Sequence, residues 1–125
     1  MMTQPVDRRK QTGDLGEELA VHYLEQLGYL IKERNWRCRS GEIDLIARLG
    51  DQLIFVEVRT RSSSSRFGTA AESVSYRKQN KVRQTAQVYL TMSAIVNTPI
   101  RFDVITVMLN KDRSAKQIDH YKNAF

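Results

Sequence analysis

A two-residue break, Gly50-Asp51, separates two runs of strand-forming residues, Glu42 to Leu49 and Gln52 to Thr60, and it constrains the fold more than any other feature of this chain. A two-residue loop with glycine first suits a type II′ turn, whose twist matches that of an antiparallel pair. Such a turn permits one register. Leu49 faces Gln52, and counting outward sets Asp44 opposite Glu57 and Glu42 opposite Arg59. Directly opposed residues share a face, with Cβ atoms about 4.5–5.5 Å apart. The hairpin therefore brings two carboxylates together beside an acid–arginine pair.

Two unit charges about 5 Å apart repel by roughly 3 kcal/mol at an effective dielectric near 20. The neighbours Ile43, Leu45, Ile54, Phe55, Val56 and Val58 half-bury the site and remove the relief of water. Three resolutions exist: one acid is protonated, a basic side chain lies between the two, or a divalent cation does. A hard cation on one or two carboxylates can orient water and stabilise charge on a phosphate. Alternatively, Glu57 pairs with a nearby arginine and the acids lie on a solvated face. A slip of one residue in the loop would break the alignment altogether.

Around this hairpin the pattern reads helix, three strands, helix, strand. Thr12 is a candidate N-cap for a first helix whose stripe is Gly16, Ala20, Tyr23, Leu24 and Leu27, with Gly28 at the left-handed C′ position. Residues 1–11 read as a flexible N-terminus. Tyr29 to Cys38 is a strand carrying Lys32, Arg34 and Arg37, and Arg39-Ser40-Gly41 turns into the hairpin. A serine run, Ser62 to Ser65, is a loop flanked by Arg61 and Arg66. The second helix spans Ser75 to Ala94 on a stripe of Val82, Ala86, Tyr89 and Leu90, and a last strand spans Ile100 to Leu109. The tail to Phe125 has no clear period. No repeat or linker divides residues 1–125, so the expectation is one α/β domain with a mixed sheet flanked by helices.

Composition narrows the function classes. At 125 residues there is room for one core, and 41% hydrophobic with 27% charged residues excludes a wholly disordered chain. No apolar run approaches the ~18 residues of a membrane helix, and no apolar stretch follows the charged N-terminus as in a secretory signal. A lone Cys38 forms no internal disulfide, and two histidines are too few for a zinc site. A cytoplasmic protein is expected. Twenty Lys and Arg against fourteen Asp and Glu give a net charge of +6, which favours an anionic partner, nucleic acid first. From Arg59 to Arg83 stand Arg59, Arg61, Arg66, Arg77, Lys78, Lys81 and Arg83 against Glu72 alone. Lys78, four residues before Val82, falls on the inward face of its helix and can point toward the carboxylates. Phosphate contacts of this kind bind without reading sequence, and no helix-turn-helix or zinc-finger pattern offers base readout.

The segments Gly41-Glu42-Ile43-Asp44-Leu45-Ile46-Ala47 and Phe55-Val56-Glu57-Val58-Arg59-Thr60-Arg61 resemble the core of the PD-(D/E)XK nucleases. With Gly16-Glu17, Gly28-Tyr29, Arg34-Asn35, Arg66-Phe67-Gly68, Lys78 and Arg101-Phe102-Asp103, the chain more closely resembles the YraN-like family of small bacterial proteins, from Gly13 through Phe125. That family is similar to archaeal Holliday-junction resolvases. The resemblance implies a restriction-endonuclease-like αβββαβ core and Mg²⁺- or Mn²⁺-dependent cleavage of DNA phosphodiesters, branched or structured DNA included, with RNA a weaker candidate. It implies that Asp44 and Glu57 hold the metal and that Glu17, on the first helix, joins them in catalysis. Glu17 also reads simply as an acid favoured near a helix N-terminus. Arg59 stands where the motif usually has lysine; it is not a general base, because arginine does not lose its proton. It either clamps the phosphate or only pairs with Glu42. Arg61, Arg66, Lys78 and Lys81 are the nucleic-acid-binding candidates, and a homodimer is expected by analogy with resolvases. A non-catalytic nucleic-acid-binding protein on the same scaffold is the alternative.

Overall fold

The computed structural model describes residues 8–62 and 74–125. Helix α1 (Arg8–Gln26) leads into strands β1 (Leu30–Cys38), β2 (Gly41–Leu49) and β3 (Gln52–Ser62); helix α2 (Tyr76–Met92) precedes β4 (Ile100–Leu109) and β5 (Ala115–Tyr121). The strands form one sheet in the order β1-β2-β3-β4-β5. Every neighbouring pair is antiparallel except β3 and β4. A parallel pair needs a crossover, and α2 lies within it. The expected order of helix, three strands, helix and strand is present, with β5 added at the edge.

Alternation along the strands gives each helix its own core. Leu45, Ala47, Ile54, Val56, Ile105 and Val107 meet Ala20, Val21 and Leu24 of α1. Ile46, Leu53 and Phe55, pointing the other way, meet Val82, Ala86 and Tyr89 of α2. Trp36 packs edge-on to Tyr89 with ring centroids 5.1 Å apart, at the margin of this second core.

After α1, Gly28 adopts φ 89°, and its N–H and that of Tyr29 donate to Glu25 O and Leu24 O, each at 3.0 Å. This is a Schellman ending, which glycine permits without steric cost. The start differs from expectation: the helix runs from Arg8, so Thr12 lies inside it rather than capping it, and residues 8–11 are helical. On α2, Ser75 is the N-cap and accepts from Lys78 N–H at 3.2 Å.

The hairpin has the expected register, from Leu49↔Gln52 to Leu45↔Val56. At its turn Gly50 takes φ 62°, while Asp51 is not among the residues with positive φ, as a type II′ turn requires. The serine loop beyond Ser62 lies outside the described residues.

Candidate functional site

The ladder between β2 and β3 stops one step short of the two acids. In place of backbone pairing, Val58 N–H donates to Asp44 Oδ2 at 2.8 Å and Asp44 N–H donates to Glu57 Oε2 at 3.3 Å. Side-chain oxygens thus take over the last rungs of the sheet. On the other side of β2 the pairs Arg34↔Leu45 and Trp36↔Ile43 pass over Asn35 and Asp44. Asn35 has φ 50°, a left-handed conformation that asparagine tolerates better than most residues. The same irregularity explains why Ile43 and Ile46, an odd number of positions apart, both pack beneath α2. Asp44 is turned out of the pleat, and the strands part there.

The electrostatics of the split are unfavourable to charge. Glu57 is 2% exposed, and burial, then the neighbouring Asp44, push its pKa up to about 8. Burial also raises Asp44, against the opposing pull of the Val58 N–H and of Lys78. Glu17, on the α1 side, is pushed up to about 7 by burial and by Asp44, while a hydrogen bond with Asn35 acts in the other direction. Asn35 belongs to the site, and an asparagine in the middle of a strand run was its signal in the sequence. The ammonium of Lys78 lies 3.4 Å from Glu57 Oε1. Two of the three resolutions are therefore present together: a basic side chain beside the acids, and a Glu57 that keeps its proton at neutral pH.

Arg59 and Glu42 are not brought together. Because the strands part at Asp44, Glu42 turns to β1 and pairs with Arg37 at 2.9 Å. Arg59 is left with its Nε buried and without a hydrogen-bond partner among the described residues. Arg61 donates to Thr60 O at 3.2 Å and, with Arg59 and Glu17, lines a cavity between α1 and the end of β3. Lys81 is exposed on α2, whereas Lys78 is half-buried and turned to Glu57. Arg66 lies outside the described residues. Among the described residues no three His, Cys, Asp or Glu side chains form a metal-holding group, so Asp44 and Glu57 are a pair rather than a cage. Two carboxylates are a sufficient protein share for Mg²⁺, which keeps several waters and takes further ligands from a substrate phosphate.

A second polar cluster lies elsewhere, against α1. Asp103 accepts from Arg101 Nε and Nη2, both at 2.8 Å, and from Asn123 N–H at 3.0 Å; His120 Nε2 is 2.7 Å away. Arg101 donates onward to the Tyr29 hydroxyl at 2.9 Å, and the Tyr23 hydroxyl is 3.3 Å from His120 Nδ1. Sequence reasoning noted Arg101 and Asp103 but had no means to join them to His120 on the fifth strand.

Comparison with known proteins agrees with the motif-based resemblance. Residues 16–107 match a family described as "Uncharacterised protein family UPF0102". A UPF0102 protein of Desulforamulus reducens is 51% identical over 120 residues, covering 94% of this chain and 97% of the relative. One from Clostridioides difficile is 47% identical over 116 residues, covering 93% and 97%. Another from Clostridium botulinum strain Hall is 46% identical over 117 residues, covering 93% and 94%. Among the described residues no helix is long and apolar enough to cross a membrane.

Proposed function

The chain belongs to the UPF0102 family, and from the geometry of its cleft we propose that it is a divalent-metal-dependent nuclease acting on DNA phosphodiester bonds. The observation that carries this reading is the pair of half-buried Asp44 and buried Glu57, cross-bonded where β2 leaves β3. A fold gains nothing by holding two carboxylates where burial raises both their pKa values; a site that receives a cation gains a ligand set. Asp44 and Glu57 would hold Mg²⁺ or Mn²⁺, and that ion supplies charge stabilisation at the phosphate and a more acidic bound water. The chain's own residues do the rest. Glu17, with a pKa near 7, is poised to take or return a proton at neutral pH. Arg59 lends a fixed positive charge to the phosphate and no base. Lys78 balances Glu57 before substrate arrives.

A second reading, a nucleic-acid-binding protein without cleavage, is favoured by two observations: Lys78 already sits at Glu57, and among the described residues Glu17 does not join Asp44 and Glu57 in a three-ligand metal group. Incubation with single-stranded, duplex, flap and four-way DNA in Mg²⁺ or Mn²⁺ separates the two. Metal-dependent cleavage is expected, falling by about 100-fold or more in Glu57→Gln. Tight binding with no cleavage in either metal would replace the nuclease reading with the second.

A further inference from the structure

Two cavities meet at Glu17, and they differ in charge. One, of about 390 Å³, is lined by Lys10, Arg34 and Arg37 but also by Asp14, Glu17 and Glu18, with Arg34 paired to Glu18 at 2.7 Å. Its charges balance. The other, of about 410 Å³, lies between the first turns of α1 and the end of β3 and is lined by Arg9, Arg59 and Arg61, with Glu17 as its one acid among the described residues. From the second cavity we infer a phosphate subsite, which receives a phosphate of the nucleic-acid strand next to the one that meets the carboxylates. The inference rests on the nuclease reading for its substrate; its site shares Glu17 and Arg59 with that reading and adds Arg9, Thr12 and Arg61.

Three features make this cavity a built anion site. Arg59 lines it, and its Nε is a buried donor with no partner among the described residues. Thr12 lines it as well, and its hydroxyl oxygen already accepts from Arg113 Nη2 at 2.8 Å. The hydroxyl proton is thereby directed elsewhere, as a donor. Gly13 leaves room: nothing lies within 4 Å of where a Cβ would stand. The roof is held down by Gly16, since a Cβ there would overlap Thr60 Oγ1, so α1 approaches β3 as closely as backbone allows. Guanidinium groups present flat forks of N–H donors that match phosphate oxygens. The volume falls within the roughly 300–1,000 Å³ of small-ligand pockets, so a nucleotide-sized group fits.

Inorganic phosphate titrated into the full chain in metal-free buffer, followed by calorimetry or NMR shifts, tests the site apart from cleavage. Saturable binding is expected, weakened about tenfold by Arg9→Gln and several-fold by the uncharged change Thr12→Val. Lys10→Gln removes the same charge from the balanced cavity and should change affinity less than about twofold. Equal losses in Arg9→Gln and Lys10→Gln, or no saturable binding in wild type, would overturn the subsite. Oligonucleotides with and without a terminal phosphate then identify the source. A preference for the phosphorylated end that vanishes in Arg9→Gln assigns a terminal phosphomonoester. Equal affinity for both ends, weakened in Arg9→Gln, assigns an internal phosphodiester. DNA cleavage and binding unaltered by Arg9→Gln would sink the subsite and leave the nuclease standing. Phosphate binding without cleavage in Mg²⁺ or Mn²⁺ would do the reverse.

Discussion

Asp103 and Glu57 are both almost wholly buried, at 0% and 2% exposure, yet their surroundings act on them in opposite directions. Burial tends to raise Asp103, but the hydrogen bonds from His120 and Arg101 outweigh it and hold the carboxyl below its ordinary value. With its proton on Nε2, His120 donates to Asp103 and accepts from the Tyr23 hydroxyl, so that cluster closes on itself. Glu57 has the Asp44 N–H at 3.3 Å, one ammonium at 3.4 Å and a second carboxylate as neighbour, and its pKa rises. A buried charge that meets its full complement of donors stabilises the fold. One left with a like-charged neighbour marks a place where the fold is arranged for something other than stability.

Breaking the satisfied cluster should give the largest effect. Asp103→Asn keeps the shape but leaves the half-enclosed Arg101 without its counter-charge, and a loss of about 3–5 kcal/mol in urea unfolding is expected. A loss below about 1 kcal/mol would show that the two regions do not differ as described.

The pH profile separates the regions within one protein. Glu57 near 8 and Glu17 near 7 lie above their ordinary value of 4.5. Between those limits the folded chain holds protons that the unfolded chain has released, so each rise in pH favours unfolding. In EDTA, stability should therefore be highest near pH 5 and fall by on the order of 2 kcal/mol by pH 8.5, with the half-exposed Glu17 contributing the smaller part. Asp103 works with the opposite sign: its contribution is present above its ordinary 3.8 and is lost as pH falls through its lower folded value. Melting curves from pH 3 to 9 should trace both limbs. A profile flat from pH 5 to 8 would contradict the raised acids.

The smallest effect reverses sign. At pH 8.5, where Glu57 has released its proton, Asp44→Asn removes one of the opposed charges while an amide oxygen can still accept from Val58 N–H, so the metal-free protein should gain about 1 kcal/mol. Wild type should gain stability from millimolar Mg²⁺ or Mn²⁺ through binding to the folded state, and the variant should lose most of that gain. A less stable variant with an intact metal response would sink the two-carboxylate site.

How much of this could be read from the chain differs by region. The hairpin register was legible because a two-residue turn leaves no freedom, and Ile100–Leu109 because a strand buried on both faces needs an apolar run. Lys78 was legible from its spacing to Val82 on α2. The separation of the strands at Asp44 was not, since it depends on a left-handed Asn35 across the sheet and turns Glu42 to Arg37 instead of Arg59. Strand β5 was illegible for another reason. An edge strand with Ala115, Lys116 and Gln117 exposed needs little apolar alternation, and what secures it is β4 pairing and the His120–Asp103 contact. The satisfied cluster thus escaped a reading by local pattern, while the unsatisfied one announced itself through a turn.

The parting of β2 from β3 has one more consequence. From Arg59 to Ser62, β3 stays paired with β4, but no described strand pairs with its other side. The sheet therefore has an interior border as well as its two outer ones, and bare strand borders invite pairing with foreign chains and aggregation. Arg59 and Arg61 stand on that stretch as gatekeepers, long and cationic, where flat apolar side chains would recruit another strand. The charges that the proposed nuclease would turn to a polyanion also discourage pairing with a misplaced β-strand.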